Sequence, residues 1–109
     1  MDIVVAVPKS EYENFAKEVE EIKQDPELQK VWTLSRIPKE LKLGSRMHFV
    51  YDGRVAYSVR VTNIKKDSTI KCETTGRTWG GRCQVFGDDL REEQGPEMRA
   101  FTGFRYRRW

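Results

Sequence analysis

The sequence predicts an α+β fold: a partly closed, mostly antiparallel β-barrel with one N-terminal amphipathic helix packed against it. Three observations lead there. The chain has 109 residues, enough for one hydrophobic core and too few for two, so 1–109 reads as a single domain. Apolar residues recur at helical spacing in one early stretch, Tyr12, Phe15, Ala16, Val19 and Ile22. Beyond that stretch, most of the chain alternates with period two or forms short β-branched runs between turn signals. With 38% hydrophobic and 34% charged residues the chain is neither collagen-like nor disordered, and it folds with little core to spare.

In order along the chain, residues 3–7 are a β-branched run ended by Pro8, which suits a buried opening strand. Ser10-Glu11-Tyr12-Glu13 has the form of a capping box, followed by the helix over about residues 11–24 with Glu18, Glu20, Glu21 and Lys23 on its outer face. Asp25-Pro26 restarts the chain in a short turn. Residues 31–34 read as a short strand, 37–44 as a loop into a tight turn, and 47–50 and 55–61 as strands flanking Asp52-Gly53.

In the second of those strands Val55, Tyr57, Val59 and Val61 alternate with Ala56, Ser58, Arg60 and Thr62. A two-residue turn at Asp52-Gly53 sets Phe49 opposite Ala56, off the valine face. A three-residue loop with Gly53 left-handed sets Phe49 opposite Val55 and Met47 opposite Tyr57, and is the expected one. Residues 69–73 and 82–86 read as further strands, 87–97 as an acidic, turn-rich surface loop, and 101–109 as a last strand. There Phe104 and Tyr106 share one face, and Arg105, Arg107 and Trp109 share the other.

The net charge of +3 is unevenly spread. Residues 1–29 hold three Lys against eight acids, 30–86 hold twelve Lys or Arg against four, 87–98 hold one Arg against five, and 99–109 hold four Arg and no acid. A basic middle and end between acidic segments suit a face that meets phosphate, with a mixed solvated surface as the alternative. No stretch approaches the roughly 20 apolar residues of a membrane span, and no basic region precedes an apolar run at residues 1–5, so a cytoplasmic protein without membrane association is expected.

Cys72, Cys83 and the single His48 are too few for a closed zinc site; no metal or cofactor is expected, and both thiols are expected reduced and buried. A disulfide stays open if the two strands are neighbours, although a cytosolic location opposes it. His48 points away from the valine face, among Arg46, Ala56 and Ser58, and a lone strand histidine is more often structural than catalytic. Gly76, Gly80 and Gly81 lack the Gly-Lys-Ser/Thr of a phosphate loop. Trp79 between Arg77 and Arg82 makes sense as a stacking platform or as a tryptophan packed under a tight loop. Arg105 and Arg107, exposed on one strand, are an electrostatic footprint for nucleic acid.

From Val31 onward, Trp32, Ile37-Pro38, Leu43-Gly44-Ser45-Arg46-Met47-His48-Phe49-Val50 and Asp52-Gly53 with 55–61 resemble the PUA-like group of small β-barrels, which includes PUA, ASCH and EVE domains. The resemblance covers about a third of the chain. It implies RNA binding, and by analogy with EVE and YTH domains a modified base in an aromatic pocket, which gives Trp32 and Trp79 a role. ASCH domains include hydrolases of acylated nucleosides, but their Gly-x-Lys-x-x-Glu-x-Arg pattern is absent here. The expectation is a nucleic-acid or nucleotide-binding module, not an enzyme, in which Trp32 and Trp79 stack bases and Arg77, Arg82, Arg105 and Arg107 hold phosphates. A small nucleoside-processing hydrolase and a protein-interaction domain are the alternatives. The oligomeric state is not legible.

Overall fold

Strand β1 (Ile3–Ala6) is buried along its whole length, as an unbroken β-branched run should be. It belongs to a computed structural model that describes residues 1–36, 38–67, 70–71, 78–79 and 82–109, with the side chains of 1–36, 38–65 and 83–109. Pro8 ends the strand, and a short 3-10 turn (Lys9–Glu11) leads into helix α1 (Tyr12–Gln24). The expected capping box is not formed. Ser10 falls inside the 3-10 turn, closed by the Glu11 amide on the Pro8 carbonyl at 2.9 Å, and Glu11 caps the helix without a side-chain hydrogen bond. Helix α1 buries Phe15, Val19 and Ile22 and leaves its charged face in solvent. After it, Asp25 organises the turn: its carboxylate accepts from the Glu27 amide at 3.1 Å and its carbonyl from the Leu28 amide at 3.0 Å.

The remaining elements are strands β2 (Lys30–Leu34), β3 (Arg46–Tyr51), β4 (Arg54–Asp67), β5 (Ile70–Lys71), β6 (Thr78–Trp79), β7 (Arg82–Glu92) and β8 (Phe104–Tyr106). Six of them form one sheet in the order β2-β7-β4-β3-β1-β8, curled into a half-barrel with β2 and β8 as its free edges, while β5 and β6 pair separately. The sheet is mixed, not mostly antiparallel as expected. Strand β1 runs parallel to β3, Ile3 beside Met47 and Val5 beside Phe49, because the connection through α1 and β2 returns the chain to the end where β1 began. Its other neighbour, β8, is antiparallel.

The hairpin also corrects the expected register. The turn has two residues, Asp52 and Gly53, both left-handed at φ 54° and 84°, and pairs Val50 with Val55 and Tyr51 with Arg54. A bulge between Phe49 and Val50 then absorbs Ala56 and sets Phe49 opposite Tyr57 and Met47 opposite Val59. Met47 and Phe49 therefore share the core side with Tyr57, as expected. Val55 does not: it packs on the opposite side of the sheet with Val4, Ala6 and Val50, beneath Met98 and Phe101. The main core, inside the curl, gathers Ile3, Val5, Phe15, Val19, Leu34, Met47, Phe49, Val59, Val61 and Val85.

Residues 87–92, expected as loop, continue β7 instead. Cross-strand cations make the acidic stretch tolerable there: Asp88 pairs with Arg60 at 3.1 Å, Asp89 with Arg46 at 3.1 Å, and Glu92 with Lys23 of α1. Among the described residues no helix is long and apolar enough to cross a membrane.

Candidate functional site

A cleft of about 620 Å³ opens where the half-barrel fails to close. One side is β2, with Trp32, Thr33, Leu34 and Ser35; the other is the end of β1 with Pro8, and residues 100–103 leading into β8. Trp32 lies on the inward face of β2, its indole edge-on to Phe49 at 5.4 Å, so the ring is fixed from below while the cleft borders it. Lys30, two residues earlier on the same face, is buried with its ammonium 5.4 Å from the Trp32 ring and 5.3 Å from the Phe15 ring, and pairs with Glu18 of α1. Phe101 also lines the cleft, half-buried over Val4 and Ala6 on the other side of the sheet. Among the described residues, the lining includes Thr33, Ser35 and Thr102 and no ionisable side chain.

Charge begins at the rim. The Arg105 guanidinium lies 4.3 Å over the Phe101 ring, and Arg36, just after β2, lies 5.5 Å over the Phe104 ring. Both line a second hollow of about 570 Å³ around β8, with Arg108, Tyr106 and Trp109. The cleft and the hollow adjoin through the stacked Phe101 and Arg105. The Arg36–Phe104 contact and the Glu40 amide donating to the Tyr106 hydroxyl at 3.0 Å also brace the two free edges against each other.

Of the residues chosen from sequence, Trp32 lines the cleft and Arg105 its rim, exposed as the alternation implied. Arg107 is spoken for: it pairs with Asp2 at 3.2 Å and stacks on Trp109 at 5.2 Å. Arg77 lies outside the described residues, as do the side chains of Trp79 and Arg82 and the residues Cys72, Gly76, Gly80 and Gly81. Cys83 is buried, its thiol 3.7 Å from the Arg36 carbonyl. Arg36 and Phe101 were not singled out from sequence; the one signal for Phe101 was its place at the head of the last alternating run.

A polar cluster occupies the other end of the outer face. His48, 1% exposed, has Nδ1 2.8 Å from a Glu93 carboxylate oxygen and Nε2 3.4 Å from Asp2, with the Trp109 ring edge-on at 5.2 Å. Ser58 is its cross-strand partner, in place of the Ala56 that the expected register sets opposite it. Partial burial opposes ionisation of Asp2, but the Arg46 amide, the Arg107 guanidinium and the His48 ring together hold its carboxyl below the usual aspartate range. Among the described residues no group of three or more His, Cys, Asp or Glu is placed to hold a metal ion.

No protein-family model matches the chain, and no curated protein or solved structure is detectably similar to it.

Proposed function

We propose that this half-barrel binds single-stranded nucleic acid or a nucleotide, RNA before DNA, in the manner that its PUA-like sequence features imply. A base enters the cleft between Trp32 and Phe101, and the adjoining phosphates run over Arg36, Arg105 and Arg108. The observation that carries the reading is the division of labour across the rim. The described lining of the cleft offers aromatic rings and hydroxyl-bearing residues without charge, which suits a neutral flat base, while three guanidinium groups stand outside it, where phosphates would emerge. Among the described residues the lining holds no acid or base, which favours binding over nucleoside hydrolysis.

Titration of labelled single-stranded RNA and DNA at several salt concentrations tests this. If the three arginines each meet one phosphate, log affinity falls with log salt at a slope of about −2, and R36A with R105A removes roughly 1.4 of it. Trp32→Ala costs about 1–3 kcal/mol of binding and leaves the slope unchanged, because stacking releases no counterions. Failure of RNA, DNA and nucleotides alike to bind at low salt overturns the reading.

A further inference from the structure

Both ring nitrogens of His48 face carboxylates, Nδ1 toward Glu93 at 2.8 Å and Nε2 toward Asp2 at 3.4 Å. A carboxylate only accepts, so both contacts are hydrogen bonds only when both nitrogens carry a proton. The neutral ring has one N–H, and in either tautomer its other nitrogen turns a lone pair toward a carboxylate oxygen. With the ring 1% exposed, bulk solvent cannot take over the lost bond.

The same group fastens the segment after β8. Asp2 accepts from the Arg107 guanidinium at 3.2 Å, its carbonyl accepts from the Arg107 amide at 2.9 Å, and the Trp109 ring rests edge-on against His48. We propose that Asp2, His48 and Glu93 form a proton-operated latch, closed when the ring is doubly protonated, that holds residues 104–109 on the sheet and thereby sets the arginine surface beside the cleft. The regulatory part rests on the proposed nucleic-acid binding; the latch itself does not.

The charged and polar groups around the ring agree with this role. Asp2 faces it from β1, Glu93 from the segment after β7, and Arg107 from beyond β8, while β4 contributes the neutral Ser58. Arg46, beside it on β3, is occupied by Ser58 and Asp89, and Asp89 is shared with Arg91. Arg107 is bound to the latch directly, and its neighbours Arg105 and Arg108 line the hollow. When the ring loses a proton the fastening weakens, and the guanidinium groups lose their fixed spacing.

His48 is the only histidine in the chain, so its ring signals need no assignment by mutation. The test is a heteronuclear NMR titration of the full chain from about pH 5.5 to 9, following the ring nitrogens, the Trp109 indole and exchange of the Arg107 amide. A single-stranded oligonucleotide without terminal phosphate is titrated at each pH. At the acid end both nitrogens should carry protons and the Arg107 amide should be protected. As the ring deprotonates, protection should fall roughly tenfold or more and oligonucleotide affinity should fall in the same interval.

Glu93→Gln leaves the core histidine in place and gives Nδ1 an amide donor, so a neutral ring is satisfied on both sides. In this variant the Arg107 amide should stay protected across the whole range. A ring that is singly protonated while Arg107 is protected overturns the latch, as does protection that ignores the ring's titration. An oligonucleotide that binds equally through the interval in which the latch opens overturns the regulatory link. Absence of binding at every pH, with the latch still opening, overturns the nucleic-acid reading and leaves the latch standing.

Discussion

At Gly87 the sheet has no space for a side chain: a Cβ there would lie 2.3 Å from a Val59 methyl, 2.8 Å from the Val59 Cβ and 3.1 Å from the Arg60 carbonyl. Gly87→Ala is therefore expected to cost about 1–3 kcal/mol by overpacking, read as a lowered denaturation midpoint. Since the collision is mostly with Val59, the G87A/V59A pair should lose less than the sum of the two single variants. Asp2 yields a prediction of a different kind. Its carboxyl is held below the ordinary 3.8 of an aspartate, so the bonds from the Arg46 amide and Arg107 contribute above that pH and are lost, with the His48 contact, as pH falls through the lower folded value. Asp2→Asn should flatten this acid limb, its stability changing less than that of the parent chain below about pH 4 in chemical denaturation.

Among the elements, β7 shows what the sequence conceals. Asp88, Asp89, Glu92 and Glu93 read as a solvated loop because local composition reports charge and not its neutralisation; the partners Arg60, Arg46 and Lys23 lie 28, 43 and 69 positions away. As strand, the amides of Asp88–Glu92 that bond to β4 should exchange with hydrogen as slowly as those of β3, whereas a loop would lose protection within the dead time. The body of helix α1, by contrast, was legible, since Phe15, Val19 and Ile22 of its periodic stripe are the residues it buries, although Ala16 is exposed and the expected capping box is not formed. The hairpin was legible in its two strands but not in its turn or register. The side shared by Met47, Phe49 and Tyr57 followed from the alternation, but the bulge that sends Val55 to the other side leaves no mark in the pattern. At the candidate site, Arg105 stood out by the alternation of the last strand, and Trp32 by the resemblance to PUA-like domains. Arg36 and the Asp2–His48–Glu93 contacts did not, because the first exists only once the end of β2 lies beside β8, and the others only once β1, β3 and the segment after β7 are side by side.

For the molecule as a whole, the cleft and its guanidinium rim both follow from a sheet that curls without closing. Trp32 is carried by one free edge, and Phe101 and Arg105 lead into and lie on the other. The place of β1 in that sheet has a consequence in time. It is the first strand made, yet its partners are β3, 44 positions later, and β8, about 100 positions later. Such contacts close long loops before they return any stabilisation, so refolding should fall in the slow range of small domains, about milliseconds to seconds, in a stopped-flow experiment. During synthesis Ile3, Val4 and Val5 must wait for β3 until residues 46–51 have emerged, and for β8 until residues 104–106 have. A nascent chain halted before Phe104 would still present one side of that apolar strand for pairing, and chaperone capture or aggregation is to be expected at that stage of translation.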